Sequence, residues 1–287
     1  MNESTDSNPA RPFFLETDSG RCFCIYYPPC SGKSFSGTFL YIHPLGDEMN
    51  KTRHMVALQA RAFSNLGYGV LQIDLFGCGD SYGEFSESRW NIWKQDILCA
   101  LRWIKENTSS GHVNLWGLRL GALLTLDFVR DFNSDFNIQN IVLWQPILNG
   151  QSYVTQFLRM NLVNNFYSND SQSPHSVNEL RKLSSAGKIL EVAGYEVAPE
   201  LIEAIDNLKL SEIVATQGEI HWFDIVSDMA QSNTPAKSKI IDTWKKENDH
   251  LYFHPIIGPF FWATQEIVEC PQLLVETTKV FTNYYAV

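Results

Sequence analysis

The residues best placed for chemistry are Gly117-Leu118-Arg119-Leu120-Gly121, which follow the apolar run His112 to Trp116 and lead into a second one beginning at Ala122. A strand that turns sharply into a helix holds the central residue of such a pentapeptide in a strained conformation. Glycine flanks it because any side chain there would strike the neighbouring strand or helix. Serine, cysteine or aspartate at the centre could attack a carbonyl and later be released. Arg119 cannot, because a guanidinium stays protonated at any working pH and is a poor nucleophile. It can hold a carboxylate or phosphate through bidentate hydrogen bonds, aided by the Leu120 N–H and the positive end of the helix. A buried unpaired charge is costly, so some anion must lie near Arg119. The chain's own candidates are Glu48 and Asp228, and the external one is a ligand.

Two more motifs precede this turn. Asp74-Leu75-Phe76-Gly77-Cys78-Gly79-Asp80-Ser81 follows an apolar run, and His43-Pro44-Leu45-Gly46 follows another. They resemble the D-x-x-G-x-G-x-S turn and the His-Gly oxyanion turn of α/β-hydrolases, and the three motifs stand in that superfamily's order. The resemblance implies a triad acid after the strand that follows the cap, where Asp228 is best placed and Asp224 is the fallback. It also implies a histidine after the last strand. That turn reads Gly258-Pro259-Phe260-Phe261-Trp262, so Pro259 or Phe260 occupies the histidine position. His254 comes four residues too early, which displaces it by roughly 13 Å along an extended strand. Ser81 and Cys78 are nucleophiles by residue type, but in this turn they read first as residues whose hydrogen bonds hold the loop. His43 likewise reads as an organiser of its own loop, with an anion contact as its other role.

The elements that must position these residues alternate strand and helix, the pattern of a mainly parallel sheet with helices on both faces. Phe13 to Glu16 and Cys22 to Tyr27 form an antiparallel pair around Asp18-Ser19-Gly20. Thr38 to Ile42, Gly69 to Ile73, His112 to Trp116 and Ile141 to Trp144 read as buried strands. One helix presents Met55, Leu58, Ala62 and Leu66, the next Trp90, Trp93, Ile97, Leu101 and Ile104. A third leaves the arginine turn over Gly121 to Val129. From 150 to 217 the rhythm fails, with a polar tract at Ser168 to Ser176, a hairpin turn at Gly194 and a helix opening at Pro199. This segment is expected to be a helical cap inserted into a core made of 11–149 and 218–287. The core resumes with the strand Ile220 to Val226, a loop, the strand His250 to Ile257, and a helix from Pro271 with Leu274, Val280 or Phe281, and Tyr284 inward.

Composition narrows the partners. The net charge is −10 without a basic stripe, which disfavours nucleic acid and anionic membrane surfaces. No apolar run approaches the roughly 20 residues of a membrane span. Residues 1–10 are polar, lack an apolar core and read as a disordered tail of a cytoplasmic protein. The six cysteines read as free thiols, and neither a metal site nor a cofactor is expected.

The run from His43 through Arg53, the stretches Leu71 to Ser81 and Leu115 to Leu124, and Gly258 to Trp262 together resemble one branch of the superfamily, the second type of exosortase A system-associated hydrolase. The resemblance covers nearly the whole chain apart from the tail and parts of the cap, and it implies that the arginine belongs to the branch's pattern. Genes of that branch accompany exopolysaccharide synthesis and PEP-CTERM sorting in Gram-negative bacteria. Two functions follow as expectations. One is a pseudoenzyme that binds an anionic small molecule or an exopolysaccharide-biosynthesis protein. The other is an esterase, thioesterase or acyltransferase that acts on an acylated intermediate with an unconventional nucleophile.

Overall fold

The computed structural model of the protein describes residues 9–109, 111–132, 136–165, 174–213, 217–232 and 234–282. Residues 1–8, the 168–173 part of the polar tract and Tyr284 lie outside them. The expected antiparallel pair is β1 (Arg11–Thr17) and β2 (Gly20–Tyr27), turning at Asp18-Ser19. Then follow β3 (Thr38–Ile42), α1 (Asp47–Asn65), β4 (Gly69–Ile73), α2 (Trp90–Asn107), β5 (Val113–Leu118), α3 (Leu120–Phe132) and β6 (Ile138–Trp144). After a long excursion come β9 (Glu219–Val226), α7 (Pro235–Glu247), β10 (Leu251–Ile257) and α8 (Pro271–Thr282). The described strands of the main sheet are ordered β1-β2-β4-β3-β5-β6-β9-β10, antiparallel up to β4 and parallel from β4 to β10.

β3 and β5 are buried at every position because helices cover both faces of the sheet, in keeping with sequences that are apolar apart from Thr38 and Asn114. One face packs Leu40, Leu115 and Leu143 against Ile97 and Leu101 of α2 and Leu123 and Leu126 of α3. The other packs Phe39, Trp116, Trp144 and Phe223 against Phe63 of α1 and Phe281 of α8. Phe39 and Phe63 stack with centroids 4.0 Å apart and planes at 4°. Truncating such a buried phenylalanine to alanine costs about 3–5 kcal/mol.

The α2 positions expected inward are all buried. On α1 the buried stripe is Thr52, Met55, Val56, Gln59, Ala60 and Phe63, whereas Leu58, Ala62 and Leu66 are half-buried. The stripe is rotated because Phe63, the largest apolar group, takes the core position under Phe39. On α8 the inward residues are Leu273, Thr277 and Phe281, with Leu274 and Val280 half-buried. Thr277 earns its place by accepting a 3.0 Å hydrogen bond from the Trp144 indole.

The segment between β9 and β10, expected as a loop, contains α7. Its start is marked by Thr234, whose side chain accepts from the Lys237 N–H, and by Pro235 at the first turn. Only Ile240 and Trp244 are buried, a stripe too thin to stand out as periodicity.

Between β6 and β9 the chain forms α4 (Gly150–Asn165), α5 (Val177–Ser185), the two-stranded pair β7 (Leu190–Val192) and β8 (Tyr195–Val197), and α6 (Pro199–Asp206). The expected hairpin turn is there: Ala193 and Gly194 both have positive φ, 52° and 83°, which suits a two-residue turn between twisted strands. Among the described residues no helix is long and apolar enough to cross a membrane.

Candidate functional site

β5 runs straight into α3 through Arg119, which has φ 55°. Few non-glycine residues adopt this left-handed region, and the turn is fixed from outside by the Arg119 N–H donating to the Trp144 carbonyl at 2.9 Å. The flanking glycines are dictated by contact. A Cβ on Gly117 would lie 2.5 Å from the Ala122 Cα, and one on Gly121 would lie 2.3 Å from the Ile42 carbonyl oxygen. Leu120 opens α3, so its N–H is among the first four that no carbonyl of the helix can accept.

The Arg119 side chain turns back over the first turn of α1. Its Nη2 donates to Glu48 Oε1 at 3.1 Å and its Nε reaches the same oxygen at 3.4 Å. Of the two internal counter-charges open from the sequence, the one in contact is therefore Glu48. Both side chains are largely shielded, 16% and 20% exposed. Two aromatic rings flank the guanidinium: Trp262 at 5.0 Å and Tyr153 at 5.9 Å from its central carbon. Such cation–π contacts favour a guanidinium that has lost part of its water. The other carboxylate oxygen, Glu48 Oε2, is buried and has no hydrogen-bond partner among the described residues. Burial pushes the Glu48 carboxyl above the ordinary carboxylate range, and Arg119, Lys51 and Tyr153 pull it back only in part. The Tyr153 hydroxyl is in turn raised well above its usual value by burial and by Glu48.

The remaining sequence candidates are spread apart. Asp228 is exposed and caps a short 3-10 helix by accepting from the Ala230 N–H at 3.1 Å, so it neither pairs with Arg119 nor meets an imidazole. Asp224, inside β9, is buried on Lys237 at 2.5 Å. His43 is buried, with Nδ1 2.7 Å from the Pro44 carbonyl and Nε2 accepting from the Leu75 N–H at 3.1 Å. Those bonds require the Nδ1–H tautomer, and burial lowers the ring's pKa. A neutral ring with both nitrogens engaged by backbone organises the loop and offers nothing to an anion. Ser81 Oγ donates to the Asp74 carbonyl at 2.5 Å and accepts from the Phe23 N–H at 2.8 Å, which ties the turn to β2. Cys78 is buried, and burial drives its thiol well above the ordinary value, leaving little thiolate.

In the turn after β10, Phe260 is exposed and Trp262 is the residue that faces Arg119. His254 stays in β10, its Nε2 3.3 Å from His221 Nδ1. Sequence reasoning missed Tyr153 and Trp262 as parts of the site. Trp262 stood within the Gly258–Trp262 motif, whereas Tyr153 gave no local signal. A cleft of about 670 Å³ opens beside Gly46, lined by Met49, Asn50, Arg53, Phe85 and Tyr195, and Arg119 is not part of its wall. Among the described residues no three His, Cys, Asp or Glu side chains converge as metal ligands.

Solved structures share this architecture. Est1E of Butyrivibrio proteoclasticus, solved with ferulic acid bound, is 15% identical, with 95% of this chain and 97% of that one covered and a TM-score of 0.65. The esterase Pf2001 of Pyrococcus furiosus is 13% identical over 97% of this chain and 92% of its own, with a TM-score of 0.63. The α/β hydrolase domain-containing protein 10 of mouse is 14% identical over 96% of this chain and 100% of its own, with a TM-score of 0.58. At these identities the likeness shows the fold alone, and the fold is that of the α/β-hydrolases. In sequence, the chain is 36% identical over 77 residues to the lysophosphatidylserine lipase ABHD12 of Xenopus tropicalis, a stretch that is 27% of this chain and 19% of that protein. The match thus spans about a fifth of that relative's length. No family model matches the chain.

Proposed function

We propose that this is a non-hydrolytic protein on the α/β-hydrolase fold that binds an anionic small molecule at Arg119, beneath a cap formed by residues 150–217. The observation that carries the reading is an arginine in place of a nucleophile at the turn from β5 into α3, with Glu48 as its resident counter-charge. A side chain that cannot attack a carbonyl occupies the place of attack, and it keeps a charge suited to carboxylate or phosphate. Both substitute nucleophiles are otherwise employed, Ser81 by two backbone groups and Cys78 by burial. The sequence resemblance to the exosortase-associated branch supports a setting beside exopolysaccharide synthesis, where a protein of that machinery is the alternative partner to a small anion.

The second reading, an esterase or thioesterase with an unconventional nucleophile, draws on the 77-residue likeness to a lysophosphatidylserine lipase. Fluorophosphonate labelling and hydrolysis of short-chain p-nitrophenyl esters separate the two. The binding reading expects no labelling and no turnover in wild type. Turnover in wild type that disappears in Ser81→Ala overturns it.

A further inference from the structure

Glu48 sits where a ligand carboxylate would sit. It reaches the guanidinium through Oε1 alone, with Nε at 3.4 Å and Nη2 at 3.1 Å on that single oxygen, so the two forks do not meet side by side. Oε2 is buried and unpartnered among the described residues. An unsatisfied buried acceptor is costly, and although Asp96 and Asp127 each also leave one oxygen without a hydrogen bond among the described residues, Glu48 does so while facing the arginine of the β5–α3 turn.

We propose that Glu48 is the resident occupant of an anion site on Arg119, and that an incoming anion takes the guanidinium as Glu48 takes up one proton from solvent. The inference rests on the binding function proposed above and adds a linkage to it. Charge decides the stoichiometry. Before binding, Arg119 and Glu48 cancel; adding an anion would leave at least two negative charges around one guanidinium in a shielded site. Protonating Glu48 removes one of them, and its new O–H can donate to the anion or to the Tyr153 hydroxyl.

The groups facing Glu48 leave it as the proton acceptor. Arg119 on the β5–α3 turn stays charged. Tyr153 on α4 is already protonated, its hydroxyl raised further by burial and by Glu48. Lys51, one turn along α1, is engaged with Asp47 at 3.5 Å. Trp262, from the turn after β10, does not titrate. The buried Glu48 carboxyl, already displaced upward by loss of water, is the group nearest to accepting a proton.

Isothermal titration calorimetry of the full chain with sulfate, whose charge is constant above about pH 4, reads the affinity. Repeating it in two buffers of different ionisation heat counts the protons taken up. Wild type is expected to take up close to one proton per sulfate at about pH 8, with affinity falling about tenfold per pH unit above the Glu48 pKa. Glu48→Gln is expected to bind sulfate without proton uptake and without that slope, and Arg119→Met is expected to lose binding. Sulfate binding lost in Arg119→Met but accompanied by no proton uptake in wild type overturns the linkage and leaves the binding function standing. No sulfate binding in wild type or Glu48→Gln at any pH, or binding that survives Arg119→Met, removes the anion site itself. If Glu48→Gln does not fold, the proton count in wild type decides alone.

Discussion

Two shielded ion pairs in this protein solve the same problem to different degrees. Between α2 and α3, Lys94 is buried against Asp127 at 2.8 Å and also contacts Asp131, while Asp127 receives the Trp90 indole N–H at 2.8 Å and contacts Arg130. Asp127 Oδ2 accepts from both Lys94 and the Trp90 indole, while Oδ1, which has no hydrogen bond among the described residues, lies against the Arg130 guanidinium. At the β5–α3 turn, Arg119 has one carboxylate oxygen and two aromatic faces, and Glu48 Oε2 has no hydrogen bond or ion pair with a cation among the described residues. The contrast separates a carboxylate shared by two cations and an indole from one held by a single guanidinium. Buried charge alone therefore says little about a site; how many opposite charges share each carboxylate says more.

The contrast can be broken first at the staple. Lys94→Met leaves Asp127 with less cationic support in a dry interface and is expected to cost about 3–5 kcal/mol in urea unfolding. A loss below about 1 kcal/mol would mean that the cluster is solvated and the contrast is false.

A third buried polar pair gives a pH test. His221 is pushed down to about 3 by burial and by His254 beside it. Its folded pKa lies below the unfolded value of about 6.5, so below that pH the unfolded chain binds the proton first and stability falls. About 3 kcal/mol is expected to be lost between about pH 6.5 and pH 4. Asp96, pushed up to about 6 by burial, acts in the opposite sense, because the folded state takes its proton first as pH falls. The contribution of His221 is therefore read as the difference in pH slope between wild type and His221→Phe, and equal slopes would refute it.

Arg119→Met is expected to cost less than the staple, about 2 kcal/mol at about pH 8, because one fifth of Glu48 reaches solvent. The loss should shrink as pH falls, since a protonated Glu48 no longer needs the guanidinium. A loss independent of pH would show that Glu48 stays charged without Arg119. The smallest effect is expected at Ser81→Ala, about 1–2 kcal/mol from two lost backbone contacts, with ester turnover no different from wild type.

Much of this was legible in the sequence, for identifiable reasons. A Cβ on Gly117 would strike Ala122 within the same strand–turn–helix unit and one on Gly121 would strike Ile42 at the end of β3, so the turn shows in sequence as a pair of glycines around its centre. The two earlier turns are short runs of the same kind. The Arg119 counter-charge was narrowed to Glu48 or Asp228, but choosing needed the direction in which the side chain leaves a φ 55° residue. Tyr153 and Trp262 come from α4 and from the turn after β10, on opposite sides of β9 in the sequence, and meet Arg119 only once the chain has folded, so no short pattern joins them. α7 was overlooked although Thr234-Pro235 signals a helix start, because two buried residues make no visible period.

A double-mutant cycle on Arg119→Met and Glu48→Gln, read by unfolding at about pH 8, tests most directly whether the nucleophile position holds a cation neutralised from within. A coupling energy of about 1–3 kcal/mol is expected, with the double variant more stable than the sum of the single losses allows. Strictly additive losses would contradict the account, because Arg119 and Glu48 would then stand near each other without depending on each other.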